Sequence, residues 1–304
     1  MLRWRVIASI AIVLPLAGLI WLDYFHNFGR PGLWLLPLFI ALGVMGAEEV
    51  LFLFRAKKLD PTPWACYAGT LLVLITAALP IWWPWASKLE PADQPKWILF
   101  SLALGMLLAI LAEMRRYQKP GSSMVRVGLT IFCIAYIGGL LGFFIRLRVV
   151  HHDLPDANAW GMLAILSMVL VVKMADIGAY FVGSLVGRTK IAPRLSPGKT
   201  IEGTCGGLVA ACFASWLVFT QLMPWLIPAA PTTPVLHWIV YGLLVAIAGM
   251  IGDLAESLFK RDMESKDSST WLKGLGGVLD VIDSPLIGAP MALFCWEVGL
   301  VGPG

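Results

Sequence analysis

Nine stretches of mostly apolar residues, separated by short polar strips, constrain this chain more than any other feature. They lie near 6 to 22, 33 to 54, 64 to 83, 97 to 112, 127 to 145, 160 to 183, 204 to 227, 236 to 252 and 284 to 302, the fourth and eighth being short. A helix that crosses a bilayer needs roughly 20 such residues. The charge that a water-soluble surface requires is missing: 14% of the 304 residues are charged and 59% are hydrophobic, against roughly 25% charged in soluble domains. An ordinary water-soluble domain is excluded. The expected fold is all-α, a polytopic integral membrane protein of about nine transmembrane helices. Tryptophans such as Trp21, Trp34, Trp64, Trp97, Trp160 and Trp238 mark span ends, as an aromatic belt should. The first run follows Arg3 and Arg5 with no small-residue cleavage site and reads as an uncleaved signal anchor.

Basic residues set the expected orientation. With nine crossings, the N-terminus and the alternate connections after it carry 17 lysines and arginines, and the other side carries 5. Lys173 is left inside a span, which accounts for all 23. The positive-inside rule then places the N-terminus and the two long C-terminal polar segments in the cytoplasm and the C-terminus outside. The net charge of +4 is small, so its placement matters more than its size. The five cysteines (Cys66, Cys133, Cys205, Cys212 and Cys295) have no short pairing and sit in or beside apolar runs. They read as small buried hydrophobes, and zinc spacing is lacking.

No repeat of fixed period and no low-complexity linker is visible. Residues 1–150 hold almost no polar clusters within spans and read as scaffold helices with a role in lipid access. Residues 151–304 read as the catalytic region, with cytoplasmic loops at 184–203 and 253–283.

Three polar constellations stand out. In GDLAESLFKR, Asp253, Glu256, Ser257 and Lys260 fall at i, i+3, i+4 and i+7 and share one helical face where the eighth apolar run ends. A solvated, salt-bridged helix end would look the same. Next come Lys266-Asp267 and then Gly274-Leu275-Gly276-Gly277-Val278-Leu279-Asp280-Val281-Ile282-Asp283. Glycines let backbone N–H groups approach a phosphate, and Asp280 and Asp283 offer two carboxylates one turn apart. Carboxylates beside hydrocarbon are costly unless paired or cation-bound, and hard oxygen ligands next to a phosphate cradle suit Mg²⁺. Dipole-favoured acids at a helix start are the competing explanation.

The third constellation has Lys173 and Asp176 inside the sixth span, then Gly183, Gly187, Arg188, Lys190 and Arg194, and then Ser196-Pro197-Gly198-Lys199-Thr200-Ile201-Glu202-Gly203. Such a loop supplies cations and hydroxyls to polyphosphate, although a basic loop also satisfies orientation or touches anionic lipid. Lys173 and Asp176 equally suit a structural ion pair. A P-loop is rejected, because Pro193 stands where that motif needs glycine and no strand pattern precedes it. His151-His152-Asp153 has the chemistry of a metal ligand but reads as a solvated outer loop, and packing or snorkelling accounts for Glu48-Glu49, near the cytoplasmic end of the second span, about as well as function does.

The segment Ser257-x-Phe259-Lys260-Arg261-x4-Lys266-Asp267-x-Ser269-x2-Leu272, followed by Gly276-Gly277-Val278-x-Asp280-x-x-Asp283, resembles the signature of the phosphatidate cytidylyltransferase (CDP-diacylglycerol synthase) family. The stretch from Asp176 through Ala179-Tyr180, Gly183, Gly187, Ser196-Pro197, Lys199-Thr200 and Glu202-Gly203 is similar to that family's second conserved region. The motifs cover about residues 173 to 285. Lys273, Leu275 and Val281 depart from the family pattern of Pro or Gly, His and Arg at those places.

The resemblance implies transfer of a cytidylyl group from CTP to phosphatidate in phospholipid biosynthesis. It implies Mg²⁺ held by Asp253, Asp280 and Asp283. It also implies catalytic roles for Lys260, Arg261, Lys266 and Asp267, and substrate binding by Ser196, Lys199, Thr200, Glu202, Gly276, Gly277 and Ser257. CTP, phosphatidate and the bilayer are the partners expected, with no nucleic acid; a homo-oligomer stays open. The expected location is the cell inner membrane with the site facing the cytoplasm. Two rivals remain: a transporter using Lys173, Asp176, Glu48 and Asp253 as an intramembrane relay, and a CTP-dependent lipid-alcohol kinase. The first predicts pseudo-symmetric halves and the second a base that deprotonates a hydroxyl.

Overall fold

The apolar runs fold as helices in the computed structural model, which describes residues 2–79, 94–264 and 277–303, with side chains from 14–79, 97–264 and 277–303. In chain order the helices are α1 (Leu2–Phe25), α2 (Leu35–Ala56), α3 (Pro63–Ala77), α4 (Gln94–Arg116), α5 (Ser123–Arg148), α6 (Ala157–Val186), α7 (Ile201–Leu226), α8 (Val235–Asp262) and α9 (Leu279–Glu297). A hairpin of β1 (Lys190–Ala192) and β2 (Ser196–Thr200) joins α6 to α7. The chain is an all-α polytopic membrane protein. Among the described residues, seven helices are long and apolar enough to cross a bilayer, α2 and α4 to α9. The third expected span is a shorter apolar helix, Pro63–Ala77. At about 1.5 Å per residue, the 15 residues of α3 rise about 22 Å, less than the hydrocarbon thickness of roughly 30 Å.

The chain divides into two compact units. One comprises Met1–Val149 with Asp262–Val281, and the other Val150–Arg261 with Ile282–Gly304.

In the first unit α2, α3 and α5 share a core that includes Val50, Leu51, Val73, Leu74 and Ile137, all at most 3% exposed. Within α5, residues Ile134–Gly139 form a π-helical segment, where the widened turn sets Gly138 against Thr70: a Cβ on Gly138 would stand 3.0 Å from the Thr70 Cα. Ion pairs between helices help tie this unit together. Arg126 of α5 grips Glu113 of α4, with its Nε 2.9 Å from Oε1. Arg148 at the end of α5 meets Asp23 of α1 at 2.6 Å, both side chains fully buried. Asp23 also accepts the N–H groups of Gly32 and Trp34 at 3.0 and 2.9 Å, so one carboxylate fixes the turn into α2 as well as the guanidinium.

In the second unit α6 and α7 approach so closely that a Cβ on Gly178 would lie 2.5 Å from the Ala210 Cβ. Small residues that admit backbone contact are the usual device for helix association in lipid. Ser167, Tyr241 and Trp296 form a buried polar seam, with Ser167 Oγ 2.6 Å from the Tyr241 hydroxyl and 3.4 Å from the Trp296 Nε1 that donates to it. The expected solvated loop at His151 is instead half-buried. Its ring packs 6.0 Å from Trp296 and 6.5 Å from Trp160, and burial holds its imidazole below the usual histidine range. The cysteines divide: Cys66, Cys133 and Cys295 are buried as expected, whereas Cys205 is exposed and Cys212 intermediate in the isolated chain.

Candidate active site

The polar sequence GDLAESLFKR continues α8 past its apolar run to Asp262, so the expected common face is helical. Lys260 Nζ reaches back one turn to Glu256 at 3.1 Å. Helix α9 meets α8 in this unit at Gly252, where a Cβ would stand 2.5 Å from the Asp283 carbonyl oxygen. No side chain fits there, and the close approach delivers the Asp283 carboxylate to the acidic face of α8. One carboxylate oxygen each from Asp253, Glu256 and Asp283 lie within 4.8 Å of one another. Glu256 and Asp283 are 2% and 7% exposed.

Two charges about 4.8 Å apart repel by roughly 3 kcal/mol at an effective dielectric of 20. Three such groups therefore call for cations. Lysines supply part of the compensation, Lys260 at Glu256 and Lys199 at Asp253, the latter at 2.6 Å. Three carboxylate oxygens this close together form an all-oxygen donor set, which fits a hard divalent ion such as Mg²⁺.

Lys199 comes from the hairpin, where the sequence predicts a loop. Lys190 pairs with Thr200 and Ala192 with Ser196, and Arg261 Nε donates to the Leu195 carbonyl at 3.4 Å, fastening the turn to α8. Thr200 caps α7 by accepting the Gly203 N–H at 3.1 Å. Behind it, a Cβ on Gly187 would meet Thr200 Oγ1 at 2.6 Å, so the chain can leave α6 only through a glycine. Glu202 accepts the backbone N–H groups of Arg188 and Thr189 at 3.1 and 3.2 Å. It therefore holds the incoming strand, a backbone job its sequence motif does not disclose. Ser196 lies on β2 and Ser257 on α8 beside Glu256, both half-buried. On α6, Lys173 Nζ is 3.5 Å from Asp176, both half-buried.

Asp280 and Gly277 belong to the first unit. Asp280, in the first turn of α9, accepts the Gly277 N–H at 2.6 Å, the reach-back bond of a capping box. The next two N–H groups, those of Val278 and Leu279, are taken by Glu49 of α2 at 2.7 Å each. Its neighbour Glu48 binds Arg55 at 3.0 Å and the Tyr67 hydroxyl. Lys266, Asp267 and Gly276 lie outside the described residues.

Carboxylates and lysines are thus gathered where α8, α9 and the hairpin come together in the second unit. The chain belongs to the cytidylyltransferase family, whose model it matches over residues 3–298. It is similar to the phosphatidate cytidylyltransferase of Pseudomonas aeruginosa, 43% identical over 290 residues, 88% of this chain and 96% of that protein. The Bacillus subtilis phosphatidate cytidylyltransferase is 32% identical over 264 residues, 85% of this chain and 88% of that one. That of Chlamydia pneumoniae is 31% identical over 254 residues, 82% and 78% of the two chains.

Proposed function

We infer that this chain transfers the cytidylyl group of CTP to phosphatidate, giving CDP-diacylglycerol and pyrophosphate. The observation that carries the reading is the triad of Asp253, Glu256 and Asp283 with Lys199 and Lys260 bound to its rim, in a chain of the cytidylyltransferase family. A phosphatidate phosphate oxygen is already anionic, so it attacks the α-phosphorus without a strong base. The bond from the α-phosphorus to its bridging oxygen breaks, and pyrophosphate leaves with the electron pair. What the protein must supply is alignment of two polyanions and charge to receive the leaving group.

Lys199 and Lys260 are suited to that task because each sits on a carboxylate that a divalent ion would neutralise, which frees the ammonium for phosphate. Arg261 lies one residue beyond Lys260 and braces the hairpin that carries Lys199. Lys266, Asp267, Gly276 and Gly277 are assigned to the same substrates on the family resemblance. Asp253, Glu256 and Asp283 would hold Mg²⁺, with Asp280, one helical turn before Asp283, as a further ligand on that resemblance. Such an ion, when bound, would supply positive charge against the triphosphate.

The preponderance of basic residues on one set of connections supports a site facing the cytoplasm of an inner membrane, where CTP is present. The test is purified protein with labelled CTP, Mg²⁺ and phosphatidate. Lipid-linked CMP is the expected product, and its absence in an inserted, monodisperse sample refutes the reading.

A further inference from the structure

One face of α6 runs through Leu170, Lys173, Ile177 and Tyr180, spaced i, i+3, i+7 and i+10. Its apolar members are 36%, 59% and 80% exposed, so in this unit the stripe looks outward to where hydrocarbon would lie. Lys173 interrupts it thirteen residues before the helix ends at Val186, about 20 Å along the axis. Its side chain is 42% exposed. A lysine at such depth is expensive, and intramembrane charges commonly mark substrate pathways.

The same lysine is connected inward. Asp176, one turn further along α6, is 3.5 Å from it. Asp176 in turn lies within electrostatic range of Asp253 and Lys199, and Lys173 within that of Asp283. The ammonium thus stands where an outward apolar stripe borders the carboxylate triad, and all of these groups belong to one unit.

We propose that Lys173 is a substrate-binding residue that receives the phosphomonoester headgroup of the lipid acceptor from the bilayer. The proposal rests on the cytidylyl-transfer reading above. The acceptor carries its charge at the end of two acyl chains, so it has to approach through hydrocarbon with an anion in front. The stripe of Leu170, Ile177 and Tyr180 matches the acyl chains, and a compact ammonium with three donors matches phosphate oxygens. The ion pair with Asp176 is half-exposed and so weakly held, and a doubly charged phosphate competes with it. Asp176 then remains behind as the group that points the ammonium. A purely structural Lys173, there only to neutralise Asp176, predicts a different result: damage to stability or kcat with no preference between substrates.

Initial rates in lipid nanodiscs, against phosphatidate mole fraction at saturating CTP and then against CTP at saturating phosphatidate, separate the two. Lys173→Met, which suits an apolar stripe, should raise the KM for phosphatidate about tenfold or more and leave the KM for CTP within about twofold. Lys173→Cys gives a second test on a single folded sample. Aminoethylation of the new thiol should restore phosphatidate use and methylation should not, with wild-type protein treated in parallel. An unchanged phosphatidate KM in Lys173→Met, equal weakening toward both substrates, or no difference between aminoethylated and methylated Lys173→Cys overturns the proposal. Each of these results requires wild-type protein that makes lipid-linked CMP; wild-type protein that makes none refutes the parent reading instead.

Discussion

Glu49 Oε1 accepts the backbone N–H of Val278 at 2.7 Å across 229 positions of sequence, and its other oxygen takes the N–H of Leu279 at the same distance. A carboxylate on the second helix therefore caps the last one. Helix starts leave N–H groups without partners, and a buried start in a membrane protein has no water to satisfy them.

Glu49→Ala should lower stability by about 1 to 3 kcal/mol for each buried N–H left without an acceptor, and Glu49→Gln, which keeps one acceptor oxygen, should lower it less. Thermal unfolding in detergent measures both. Equal melting points for Glu49→Ala and wild type would exclude the cap as a stabilising contact.

Asp253→Asn, Glu256→Gln and Asp283→Asn should each insert normally and lose activity by about two orders of magnitude or more, since a bound cation contributes several kcal/mol to charge stabilisation at about 1.36 kcal/mol per tenfold. Raised Mg²⁺ should recover part of the loss. Asp280→Asn is the sharper case, because asparagine keeps the hydrogen bond to the Gly277 N–H. Loss of turnover there identifies a ligand, and normal turnover identifies a cap alone.

Lys199→Met and Lys260→Met should weaken use of CTP by about 1.5 to 3 kcal/mol each, the range for hydrogen bonds to charged groups, or about 10- to 140-fold. The KM for phosphatidate should move much less. The measurement is initial rate against CTP at fixed phosphatidate and then the reverse. Equal weakening toward both substrates, or none toward CTP, would count against the assignment.

The buried pair of Asp23 and Arg148 in the first unit makes a stability prediction of its own. Arg148→Met strands a carboxylate and should cost about 3 to 5 kcal/mol. The double variant Asp23→Asn with Arg148→Met should recover part of that, because no buried charge is left alone. A double variant less stable than the single one would refute this account.

Hydropathy made the helices legible because hydrocarbon demands long apolar runs, and the i, i+3, i+7 spacing of Asp253, Glu256 and Lys260 already placed them on one face. What lies beyond local spacing was not legible. The role of Glu256 within the triad depends on where Asp283 arrives, and that is set by Gly252. The hairpin was hidden because its strands are too short and polar to show alternation. Glu202 shows no outward sign of its duty, since a carboxylate bound to backbone amides and one waiting for substrate have the same sequence. The partnership of Glu49 with Val278 has no local trace at all, being fixed by how α2 and the start of α9 fold into the first unit.

The contact between Gly252 and the Asp283 carbonyl is made by main-chain atoms on both sides. The gap across which Asp253 and Asp283 face each other is thus gauged by atomic radii rather than by side chains that can change rotamer. Were the triad to hold a divalent ion, its preference for ionic size would rest on a missing methyl group, and Gly252→Ala would act on that preference before it acted on any substrate.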